Sequence, residues 1–258
     1  MTTRGLAGIG PAEAAPAVHA LGLTKFPERR DRLPMLSPDQ AKKRYQDHMG
    51  AEAGAAFYHV VGEVAGLHAK WGDYTGLFGK PNRVDLLNEA APDFFGRLQY
   101  TLLDDVMLHL ARLTDKPATG KKSNLSIKGL VRLLPDKDHR EALDSQIGVM
   151  DRRVEACRDR RDRRLAHNDY PLAVGTSPLP LLPASRASIR EAIDSVTEVV
   201  NAISVHYLDA EMAYDFDEIP ATDLLYVLYE GVRAAEGRKA RLAAGEFVPP
   251  SDFPPNGL

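Results

Sequence analysis

The spacing of the apolar residues most constrains what this chain can fold into: they advance by three or four positions along several long segments. Phe57, Val60, Val61, Val64, Leu67, His68 and Trp71 fall on one side of a helix over residues 52–78. Leu87, Ala91, Phe94, Leu98, Leu102, Val106, His109 and Leu113 form a second stripe, running from Val84 to about Thr114. Pro92 lies inside it and predicts a kink or a fresh helix start, because proline lacks the donor that an interior turn needs. Ile189, Ile193, Val196, Val200, Ile203 and Tyr207 make a third stripe. No segment alternates apolar and polar residues as a half-buried strand does, and there is no Gly-rich phosphate loop or internal repeat. The expected fold class is all-α, an up-and-down helical bundle of about six to seven helices.

Capping residues place the boundaries. Ser37-Pro38 opens a helix towards Gly50, residues 79–82 (GKPN) turn, and Ser126 to Leu134 is a short helix stopped by Pro135. Asp136 or Asp138 caps a helix running to about His167; Ser185 opens another after a Pro-rich connection, and a last one spans Thr222 to about Ala244. Gly, Pro and charge leave little to bury in residues 1–36, read as a disordered or extended arm before a bundle over 37–245 and an irregular tail over 246–258. Pro11, Glu13 and Pro16 interrupt the apolar run that a signal peptide requires, and no stretch is long and apolar enough to span a bilayer. The single cysteine, Cys157, excludes an intramolecular disulfide and a cysteine-cluster metal site. The expectation is a cytoplasmic protein without a membrane partner. A net charge of −3 means that any polyanion site must come from local clustering.

Such clustering occurs at Arg160–Asp169. Leu143, Ile147, Met150, Val154 and Cys157 step along one face, and the next step of four lands on Arg161. A guanidinium on a buried stripe needs an anion or a polar partner, since an unpaired buried charge is costly. His167 follows six residues later, about 120° around an ideal helix from Arg161. Histidine is poised for proton transfer near neutral pH, and arginine grips phosphate with two donors and stabilises charge building on its oxygens. Together they suit attack of an RNA 2′-hydroxyl on its adjacent phosphorus, which needs no metal. The plainer alternative is a solvated face held by the i,i+4 pairs Asp159–Arg163 and Arg158–Asp162, with Arg161 a structural partner of Asp104, Asp105 or Asp115.

The segment RDRRLAHND, residues 161–169, resembles the R-x4-6-H motif of the HEPN superfamily, with Asp162 as the polar residue after the arginine. LLNEAAPDFF at 86–95, LHLARLTD at 108–115 and NLSI at 124–127 resemble its abortive-infection branch, found in bacterial phage defence. The likeness covers roughly residues 55–170. It implies an endoribonuclease that is metal-independent and needs no cofactor, often a homodimer with facing motifs, in phage defence or a toxin–antitoxin system. RNA is the implied partner, with an antitoxin or regulatory protein beside it. Carried over, Arg161 would hold or polarise the phosphate, His167 would transfer protons and Asp162 would orient them. Arg160, which also satisfies the loose spacing, Arg164 and Asn168 are the candidate phosphate or RNA contacts. Where some toxin-type relatives carry Tyr two residues after the histidine, this chain has Asp169, with Tyr170 one later. The alternative function is a non-catalytic helical module that binds RNA, nucleotide or protein.

Other candidates read as structure. His109 on its stripe is a core histidine, and Trp71, Tyr74 and Phe78 are core or dimer contacts. His48, His59 and His68 lack metal-binding spacing, so no metal site is expected. Lys121 and Lys122 belong to a loop, and Asp215, Asp217 and Glu218 to an acidic turn.

Overall fold

A computed structural model describes residues 36–214 and 220–255. The arm, apart from its last residue, and the acidic turn at 215–218 lie outside the described residues. From Ser37 on, the described residues make one compact unit. The described residues form an all-α bundle: α1 Pro38–Met49, α2 Ala51–Phe78, α3 Pro81–Ala90, α4 Pro92–Leu113, α5 Ile127–Leu133, α6 Lys137–Arg160, α7 Tyr170–Ala173, α8 Arg186–Leu208 and α9 Pro220–Ala243. A π-helical turn, Arg161–Leu165, prolongs α6. The tally exceeds six or seven because Pro92 starts a new helix and because Tyr170–Ala173 closes a single extra turn. The 114–126 loop holds a two-residue antiparallel ladder, Ala118–Thr119 with Lys122–Ser123.

Side chains at the helix starts satisfy backbone donors that would otherwise be orphaned. Ser37 and Gln40 form a reciprocal box at α1, as Ser185 and Ser188 do at α8. Ser126 Oγ accepts from the Gly129 N–H, and Asp136 accepts from the Asp138 and His139 N–H groups, which selects Asp136 over Asp138 as the cap of α6. Gly50, at φ +86°, turns the chain between α1 and α2. At Gly54 a Cβ would come within 2.4 Å of the Gln46 backbone, so glycine permits the close crossing of these two helices.

α2 is the hub, packing on α1, α3, α4, α5, α8 and α9. Its Phe57, Val60, Val64, Leu67, Trp71, Tyr74 and Phe78 are buried in one core cluster with Val106 and Leu110 of α4 and the stripes of α6 and α8. Trp71, Tyr74 and Phe78 are thus core residues. The second stripe needs one correction: Phe94 is 54% exposed and Phe95 takes the buried place. The fresh start at Pro92 rotates the helix so that the α3 periodicity does not carry through.

Candidate functional site

α6 delivers the motif. Leu143, Met150, Val154 and Cys157 are buried, and burial pushes the Cys157 thiol up to about 11, so it packs as an inert protonated group. At the next stripe position the winding loosens from α to π: the Ala166 N–H donates to the Arg161 carbonyl over 2.7 Å, five residues back. Such π turns are uncommon and favour functional sites. The ideal-helix angle between Arg161 and His167 does not describe this segment.

Arginines up to Arg163 are seated on named partners. Arg158 donates to the Thr114 carbonyl at the C-terminal end of α4 (2.8 Å) and to Asp151 (2.7 Å). It does not pair with Asp162, because the helix-end carbonyl and the Asp151 carboxylate claim it. Burial would raise the Asp151 carboxyl, but hydrogen bonds from Lys128 and Arg158 hold it below its ordinary value. Arg160 Nε donates to Asp104 of α4 (2.7 Å). Arg161 Nη1 donates to Asp115 (2.6 Å) and its Nε to Asp162 (2.7 Å). The bond to Asp162 raises the Arg161 pKa above the ordinary guanidinium value; burial opposes it and Asp115 adds to it. Of the three acids named as structural partners for Arg161, Asp115 takes that place, Asp104 holds Arg160 and Asp105 pairs with Lys70.

Arg163 faces the other way. It pairs with Asp159 (3.4 Å), as the i,i+4 spacing predicts, and donates to Ser177 Oγ (3.1 Å) and to the carbonyls of Leu179 (2.6 Å) and Pro180 (3.2 Å). Asp159 in turn accepts from the Leu182 N–H (2.8 Å). The Pro-rich connection is therefore strapped to the motif turn by two residues that sequence reasoning read only as a surface pair. Their partners lie 14–23 residues away with no periodic signal.

The side chains of Arg164, His167 and Asn168 are exposed and make no hydrogen bond or ion pair among the described residues. The His167 ring sits in the bend after the π turn. The Asp169 N–H donates to the Arg163 carbonyl (3.1 Å), and the Asp169 side chain caps α7, leaving Tyr170 75% exposed. The structure thus gathers Arg161, Asp162 and Asp115 into one contact group, turns Arg160 aside to Asp104, and leaves Arg164, His167 and Asn168 open to solvent.

Elsewhere, His109 is buried and hydrogen-bonded to Glu63 (3.0 Å), as a core histidine. Burial lowers its pKa, with Lys70 adding, so this is a neutral imidazole donating to a carboxylate rather than a formal ion pair. Among the described residues no group of three or more His, Cys, Asp or Glu side chains is placed to hold a metal, and no helix is long and apolar enough to cross a membrane.

An all-helical bundle with Arg-x5-His where a long helix ends is the arrangement of an HEPN domain, of the abortive-infection branch. The family model HEPN_AbiU2, described as AbiU2, matches residues 50–225, about two thirds of the 258-residue chain. The chain belongs to this family. No curated protein and no solved structure is significantly similar to it.

Proposed function

We propose that this protein is a metal-independent endoribonuclease acting as a homodimer in phage defence or a toxin–antitoxin system, with an antitoxin or regulatory protein as a further partner. One observation carries the reading. Arg161 is fixed by Asp115 and Asp162 with its Nη2 unengaged, six residues before an exposed and unencumbered His167. His167 takes the proton of an RNA 2′-hydroxyl, whose oxygen attacks the adjacent phosphorus. The P–O5′ bond breaks, the 5′-oxygen takes a proton from water or from the His167 imidazolium and leaves as a hydroxyl, and the other product ends in a 2′,3′-cyclic phosphate. Arg161 stabilises the charge that builds on the phosphoryl oxygens, and Asp162 orients it before RNA binds. Arg164 and Asn168, exposed within three residues of His167 in sequence, contact neighbouring phosphates, together with Arg160.

Purified protein should cleave mixed RNA in EDTA, and His167→Ala should lose roughly a hundredfold or more, the share that a general base commonly supplies. Equal cleavage by both proteins, or none by either, removes the enzymatic reading.

A second reading is a non-catalytic module that binds RNA, nucleotide or protein. It is favoured by the seating of Arg158, Arg160, Arg161 and Arg163 on internal partners. Salt-sensitive binding without turnover, weakened when Arg160, Arg161 and Arg164 are neutralised, would support it.

A further inference from the structure

The Arg161 guanidinium presents two edges, and the two carboxylates use them differently. Asp115, one-third exposed, holds Nη1 from the α4 side. Asp162 is 59% exposed and holds Nε alone, so the Nε–Nη2 edge is only half used. That edge is a two-donor fork, and a phosphate with two free oxygens fills it where this carboxylate makes one bond. One positive charge also faces two negative ones here. An arriving phosphodiester meets repulsion unless one carboxylate withdraws, and Asp162 is the one with solvent to withdraw into.

We propose that Asp162 is a displaceable latch: it occupies the phosphate-gripping edge of Arg161 until a nucleic-acid backbone phosphate replaces it, while Asp115 stays in place as the positioning residue. The latch rests on the reading that Arg161 grips an RNA phosphate. It makes the site self-screened. Stray monovalent anions compete poorly with a tethered carboxylate, whereas a polyanion that also engages Arg164 displaces it. Asp115 cannot exchange in this way, because its release would free Arg161 from α4 altogether.

The test is equilibrium binding of a fluorescent, fully 2′-O-methylated oligoribonucleotide, which binds without being cut, to the full-length protein at fixed salt. Asp162→Asn and Asp162→Ala should each bind roughly two- to fivefold tighter, the worth of an exposed ion pair no longer in competition. Asp115→Asn should bind more weakly. Glu155→Gln, which removes one exposed negative charge on the same helix, should leave affinity unchanged. Thermal melts confirm that each variant is folded. Unchanged or weaker binding by both Asp162 variants, or an equal gain from Glu155→Gln, overturns the latch. Arg161→Lys keeps the charge but loses the fork and should weaken binding. If it binds as well as the parent, Arg161 does not grip phosphate, and the functional reading fails together with the latch.

Discussion

The two halves of the motif are built in opposite ways. Residues 158–163 are clasped: α4 supplies Asp104, the two residues that follow it supply Thr114 and Asp115, and the Pro-rich strap supplies Ser177, Leu179 and Pro180. Residues 164–168 carry side chains with no hydrogen bond or ion pair among the described residues, and all but the half-buried Leu165 are exposed. The cationic partner is positioned by the fold, whereas the imidazole is presented to whatever arrives. In the proposed reaction, precise placement of a charge needs a rigid seat, and a proton carrier needs access.

The contrast predicts a hierarchy of effects. Arg161→Ala strands Asp115 and removes the tie to α4. It should cost about 2–3 kcal/mol in urea denaturation, below the figure for a fully buried pair because both groups keep some solvent. A cost under about 0.5 kcal/mol would mean that the clasp is ornamental. Arg163→Ala should cost about 1–2 kcal/mol and make the 174–183 connection more readily cut in limited proteolysis than in the parent. Unchanged proteolysis would show that the strap is held by packing alone. His167→Ala should lie within about 0.5 kcal/mol of the parent, as exposed substitutions do, and a larger loss would mean that the open half is not open.

Acid should loosen a different part of the bundle. Burial lowers the pKa of His109, with Lys70 and Arg112 adding and Glu63 opposing. It also lowers that of His139, stacked 3.9 Å from His206, with His206 adding and Asp136 opposing. Between those lowered values and the ordinary value near 6.5, the unfolded chain binds more protons, so stability rises with pH. It should be whole above about pH 6.5 and fall as the pH drops below it, read as Tm from pH 7.5 to 5. A flat profile would place both imidazoles in ordinary surroundings.

The bundle was legible because its signals are local. The serine caps, Asp136, Pro92 and the stripes of α2, α6 and α8 are each set by neighbours within a turn or two. Phe94 misled because the stripe was carried through a proline that restarts the helix. The motif was legible as a pattern, and Asp115 stood among three acids named as partners for Arg161. Which acid pairs with which cation depends on how α4 crosses α6, and no spacing within either helix records that crossing. The π turn escaped for the same reason. Arg158, Arg160 and Arg161 must all reach α4 or the two residues after it within four residues, a demand made by tertiary structure and not by propensity. The Arg163 strap joins backbone carbonyls that leave no residue-type signature.

The most direct test of the central claim, that Arg161 and His167 together cut RNA at a 2′-hydroxyl, uses a defined oligoribonucleotide in EDTA with the ends of the products identified by mass. The account predicts a 2′,3′-cyclic phosphate and a 5′-hydroxyl. Cleavage should be lost in His167→Ala and Arg161→Lys, and lost at any nucleotide whose 2′-oxygen is methylated. Cleavage that survives methylation or the loss of His167 would contradict it.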